Sequence, residues 1–161
     1  MYLYKSMNCG PFSWYVEGAY KTPEIMFSPT DFRHIGQDSS VGRFIKEAGT
    51  VFYASLSYAD HGLGIVLEGK RTENFSFRTD PNLLLNRGLI NYIPALSRIN
   101  TYRLTSRYNP AIQFMGEVAL QVDVQYAFND KVSALVNYSL INSLEEETLY
   151  REINGKVTWK Q

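Results

Sequence analysis

Cysteine is almost missing from this chain: Cys9 is the only one in 161 residues. An intrachain disulfide is therefore impossible, and the flanking "SMNCGPF" offers no partner for a catalytic or metal-bound thiol. Histidine is nearly as scarce. His34 stands in a loop-like stretch beside Asp31 and Arg33, and His61 stands in a tight turn after Asp60. No spacing of the H-x-x-x-H kind gathers ligands, so no metal site is expected. No G-x-S-x-G elbow occurs, no serine is obviously paired with His61, and "GRFIKEAG" lacks phosphate-loop spacing. No catalytic residue and no cofactor are expected. Excess charge is lacking too: 16 basic residues balance 16 acidic ones. No basic stripe with interleaved aromatics exists, which argues against nucleic acid as a partner.

Long apolar runs are also absent. No stretch of about 18 apolar residues occurs, so a membrane-spanning helix is excluded. A β-barrel is not excluded, because its strands hide their hydrophobicity by alternation, and a mean hydropathy of −0.24 suits either a barrel or a soluble domain. The opening "MYLYKSMNCGPF" has no basic region followed by an apolar one and does not read as a secretory signal. The two expectations are a cytosolic protein or a piece of a longer precursor with its signal upstream.

What the chain has in abundance is alternation. "GEVALQVDVQYAF" (116–128) sets Val118, Leu120, Val122, Val124, Tyr126 and Phe128 against Glu117, Ala119, Gln121, Asp123, Gln125 and Ala127. That is a strand with one apolar and one polar face. "FSWYVEGAYK" (12–21), "TVFYASLSYA" (50–59), "LGIVLEGKR" (63–71), "TYRLTSRYN" (101–109), "VSALVNYSL" (132–140) and "GKVTWKQ" (155–161) repeat the pattern. Most of these roughly seven strands approach the 9–11 residues that a tilted strand needs to cross a bilayer. "DHG" (60–62) and "FNDK" (128–131) read as tight turns, with Gly62 free to take a positive φ.

Two stretches read as long loops. Residues 22–48 carry Pro23 and Pro29, and Val41, Phe44 and Ile45 at helical spacing before Gly49 suggest one short helix. Residues 79–99 are long and unusually apolar; their core, 83–96, needs burial, on a barrel rim, as an extra strand, as a plug in a lumen or against a partner. "SLEEETLYREI" (143–153) is open between a helical turn capped by Ser143 and Glu146 and a loop entering the last strand.

Alternation alone does not say which face is wet. The polar faces combine small residues with opposite charges, as a crowded watery lumen requires, and the apolar faces end in Tyr20, Tyr58, Tyr102, Tyr108, Tyr126 and Phe128. The charge candidates for such a lumen are Glu68, Lys70, Arg103, Arg107, Glu117 and Asp123. Glu117 and Asp123 share a face but lie roughly 20 Å apart along the strand, too far for an acid/base pair. A structural ladder with Arg103 and Arg107 is the favoured role, and a solute filter the other.

"LINYIPALSRINTYRLTSRYNP" (89–110) followed by "MGEVALQVDVQYAF" (115–128), with "YVEGAYKTP" (15–23) and "GKRTENFSFRTD" (69–80), resembles a Bacteroidota-type family of outer-membrane β-barrel proteins of uncharacterised function. The resemblance implies a larger barrel delivered by a signal peptide. The expectation is thus an all-β, antiparallel up-and-down transmembrane β-barrel, partial, with two long loops, residues 1–161 forming one segment of the larger barrel. It is porin-like, non-enzymatic and embedded in outer-membrane lipid, and it passes a small solute or binds a partner at the surface. The alternative is a soluble β-sandwich that binds carbohydrate or another ligand.

Overall fold

The structure, a computed structural model, describes residues 1–34, 40–80, 82, 87–90, 94–98, 116–145 and 147–160. They form β1 (Tyr2–Cys9), β2 (Phe12–His34), β3 (Ser40–Asp60), β4 (Leu63–Glu73), β5 (Gly116–Ala127), β6 (Val132–Ser143) and β7 (Thr148–Trp159). The seven strands make one sheet in chain order, each antiparallel to the next. This is an up-and-down meander with no helix among the described residues. The sheet is not closed: β1 and β7 each pair on one side only.

Short turns gather at one end of the sheet. His61 and Gly62 take φ of 44° and 81°, the paired positive values of a two-residue hairpin turn that suits the strands' right-handed twist. Between β5 and β6, Asn129 Oδ1 accepts from the amides of Lys131 at 2.9 Å and Val132 at 2.8 Å, holding the turn by a side chain. Gly10 and Pro11 turn β1 into β2. The opposite end carries the connections from β2 to β3, from β4 to β5 and from β6 to β7, and the one between β4 and β5 is by far the longest.

Several expectations are corrected there. The stretch 22–48 is not a loop with a short helix. β2 and β3, of 23 and 21 residues, run through most of it as a paired arm, where β4 to β7 have 11 or 12. The helical spacing of Val41, Phe44 and Ile45 loses to cross-strand pairing, in which Ile45 faces Met26 and Phe44 faces Phe27, their rings 5.6 Å apart and edge to face. The prolines that suggested a loop sit where the register slips, Pro23 between Lys21 and Glu24 and Pro29 between Ser28 and Phe32. A bulge is where a strand tolerates a missing N–H. His34 accordingly ends a strand. Between β6 and β7 a short loop, not a helical turn, forms, with Ser143 N donating to the Glu147 carbonyl at 2.8 Å. β7 then begins at Thr148, well before Gly155. β1 is an additional strand, while the expected strand 101–109 lies outside the described residues.

The two faces have the reverse of ordinary burial. Side chains opposite one another across the ladder share a face, so the register sorts the sheet completely. One face carries Phe12, Phe52, Leu56, Leu67, Val118, Leu120, Tyr126, Val136, Ile153, Val157 and Trp159, and all of these are exposed. The other carries Lys70, Thr72, Glu117, Gln121, Asn137 and Ser139, and all of these are buried. Among the described residues only Ala119 and Ile141 are buried hydrophobics, and both lie on the polar face. A soluble sheet places its core where this one places its charges.

Candidate functional site

On the polar face β4 and β5 set Thr72 opposite Glu117, Lys70 opposite Ala119, Glu68 opposite Gln121 and Val66 opposite Asp123. The short side chain of Ala119 lets Lys70 lean along the ladder to Glu117, and Nζ meets Oε1 at 2.6 Å. Both side chains are out of solvent, at 6% and 0% exposure. An ion pair so buried holds only if further hydrogen bonds offset desolvation. Lys70 has one, donating to the Pro94 carbonyl at 2.8 Å.

Asp123 anchors a second network. Its Oδ1 accepts from Arg98 Nη1 at 2.6 Å and from Asn137 Nδ2 at 3.1 Å, and its Oδ2 accepts from Gln121 Nε2 at 2.9 Å. Ser139 Oγ in turn donates to Asn137 Oδ1 at 3.3 Å. A third anchor lies on β2, where Lys21 donates to the Ser76 carbonyl at 2.7 Å, pairs with Glu24 at 3.2 Å and stands 5.2 Å from the centre of the Phe77 ring.

Pro94 and Arg98 belong to the apolar stretch 79–99, and Ser76 and Phe77 come just before it, so these described parts of the connection between β4 and β5 fold back over the polar face. Part of it is a small hairpin: Thr79 N donates to the Gly88 carbonyl and Ile90 N to that of Phe77, each at 2.9 Å. Its first step needs Gly49, since a Cβ there would stand 2.5 Å from the Asn74 carbonyl oxygen. The apolar residues 83–86 and 91–93 lie outside the described residues.

Of the six charges singled out by sequence, Glu68, Lys70, Glu117 and Asp123 stand on this one face. Arg103 and Arg107 lie outside the described residues. Glu117 and Asp123 sit in separate networks, and the described partners closing on them are Lys70 and Arg98. Gln121, Asn137 and Ser139 were legible as same-face neighbours by alternation, but Arg98 was not, since nothing local in "ALSRI" aims it at Asp123. Glu68 accepts a hydrogen bond from the Tyr53 hydroxyl. Among the described residues no three His, Cys, Asp or Glu side chains gather as a metal site, and His61 pairs with Asp60 at 2.7 Å in an exposed turn. The arrangement is a wall of charges and amides fixed by ion pairs and hydrogen bonds on one face of the sheet.

No curated protein and no solved structure is matched by this chain. A family model described as "Family of unknown function (DUF6029)" matches residues 5–160, and the chain belongs to that family.

Proposed function

We propose that this chain is part of an outer-membrane β-barrel of a Bacteroidota-type bacterium, non-enzymatic and porin-like, whose polar face lines a lumen through which a small solute passes or in which it binds. The observation that carries the reading is the inverted burial. An apolar face with Leu56 at 45%, Val136 at 52% and Val157 at 74% exposure costs nothing when lipid covers it and a great deal in water. The buried ion pair and amide network behind that face match a polar barrel interior. Rings mark the short-turn end of the apolar face: Phe12 against Tyr58 at 4.9 Å, Tyr126 against Phe128 at 4.9 Å, and Trp159. Such rings suit the boundary between lipid and water. On β2 the apolar band runs from Phe12 to Tyr20, about 27 Å along the strand at the usual rise. Open edges are not tolerated in lipid, so β1 and β7 are expected to meet further strands of a larger barrel.

The test is fractionation of the native protein, followed by gel mobility with and without boiling in detergent. Recovery in the outer membrane with a heat-dependent mobility shift is expected. Recovery in the soluble fraction with no shift would overturn the reading and favour a soluble β-sandwich.

A further inference from the structure

We propose that the part of the polar face centred on Glu17, away from the described contacts of the folded-back stretch, binds an organic ammonium cation. The inference deepens the reading above, since it takes this face as the solvated one and names what it holds.

The folded-back stretch ties to Lys21, Lys70 and Asp123. Towards the β1 edge, by contrast, Tyr2 and Tyr4 stay 57% and 64% exposed. Across β1, β2 and β3 the register puts Tyr4 opposite Glu17 and Glu17 opposite Tyr53, while Tyr15 stands two residues before Glu17 on the same face. Glu17 is thus flanked by rings on three sides. The rings form a continuous series: Tyr2 to Tyr4 at 5.9 Å, Tyr4 to Tyr15 at 6.4 Å and Tyr15 to Tyr53 at 6.0 Å between centroids. The hydroxyls aim the carboxylates, Tyr15 donating to Glu17 and Tyr53 to Glu68. Glu68 lies one strand further on, opposite Ser55, which is itself opposite Tyr15.

Charge separates this patch from the rest of the face. Lys21, Lys70 and Arg98 are each paired with a carboxylate. Glu17 and Glu68 make no ion pair among the described residues. Lys70 shares a ladder row with Glu17, but Tyr53 lies between them and its ammonium is spent on Glu117 and Pro94. Two carboxylates without a countercharge among the described residues, set among rings whose faces carry partial negative charge, ask for a cation with an apolar coat. An alkylated ammonium meets both requirements: its charge faces the carboxylates and its methyl groups lie on the rings. A neutral sugar would use the rings and leave the two charges unanswered.

The test is calorimetric titration of the detergent-solubilised protein with tetramethylammonium, with a neutral maltooligosaccharide as the contrasting probe. Saturable tetramethylammonium binding is expected, weakened about tenfold by Glu17→Gln and by Tyr53→Leu and kept within about twofold by Tyr53→Phe, because ring and charge carry the contact. Glu68→Gln gives a second charge variant should Glu17→Gln fail to fold. Absence of tetramethylammonium binding, Gln variants that bind as tightly as the parent, or binding of the oligosaccharide alone would each overturn the site. Heat-dependent mobility measured on the same sample keeps the two proposals apart. A shifting protein that ignores the cation loses the site and keeps the barrel, and a non-shifting protein that binds it loses the barrel and keeps the site.

Discussion

Lys70 and Glu117 show what a single buried charge demands. The carboxylate is fully enclosed and its lysine partner nearly so, at 2.6 Å. Replacing Lys70 by alanine removes an opposite charge 2.6 Å from a group that no longer reaches water. The expected loss is about 3 kcal/mol, read as a lower temperature for the gel shift or an earlier denaturant midpoint. The double variant Lys70→Met/Glu117→Met is expected to recover part of that loss, because an apolar pair asks for no desolvation. An unchanged midpoint in Lys70→Ala would mean that this ion pair does not set the stability of the fold. That both residues face the same way was legible in the period-two pattern of "LEGKR" and "GEVAL". Their pairing with each other was not, because the register between two strands 40-odd positions apart is fixed by neither strand alone.

At the scale of elements, the strands that pattern announces are those with one apolar face bounded by a turn: β4, β5 and β6 begin where alternation begins. Those it hides have a mixed face or an interruption. β1 interleaves Lys5 among Leu3, Met7 and Cys9, and the outer half of β2 is broken by two prolines that the pairing absorbs as register slips. That outer half, with its partner from β3, forms an arm beyond Lys21 and Gly49, at the end opposite the short turns. In outer-membrane barrels the long connections face outward and the short turns inward. In the proposed barrel, Cys9, a free and exposed thiol beside the Gly10–Pro11 turn, would serve as a built-in reporter of the inner end. A bulky maleimide is expected to reach Cys9 only after the outer membrane is permeabilised. Lys46→Cys, made in a Cys9→Ser background, is expected to react in intact cells. The opposite labelling order would turn the sheet over.

At the scale of the whole molecule, the useful fact is which face is exposed. Val136 is 52% exposed on the apolar face, in the body of β6. In a soluble protein such a site accepts arginine at little cost, since surface substitutions usually stay within about half a kcal/mol. In the proposed barrel, where this residue would face lipid near mid-depth, Val136→Arg is expected to cost about 2–4 kcal/mol, measured as reduced folding yield into vesicles or a lower unfolding midpoint. A neutral or solubilising effect would point to water on that face. Sequence showed two faces and led to the expectation of charges turned inward; which of them are enclosed became visible only once described parts of the connection after β4 were seen over the charged face.

The strict alternation behind these faces also gives the sheet a phase, much as codons give a message a frame. Adding or removing one residue inside β4 would exchange apolar-side and charge-side positions from that point to the next turn, whereas a change of two would preserve them. The slips at Pro23, at Pro29 and between Ile141 and Asn142 are the places where such changes are absorbed. Length variation compatible with this fold is therefore expected in the bulges and in the connections, and in pairs of residues everywhere else.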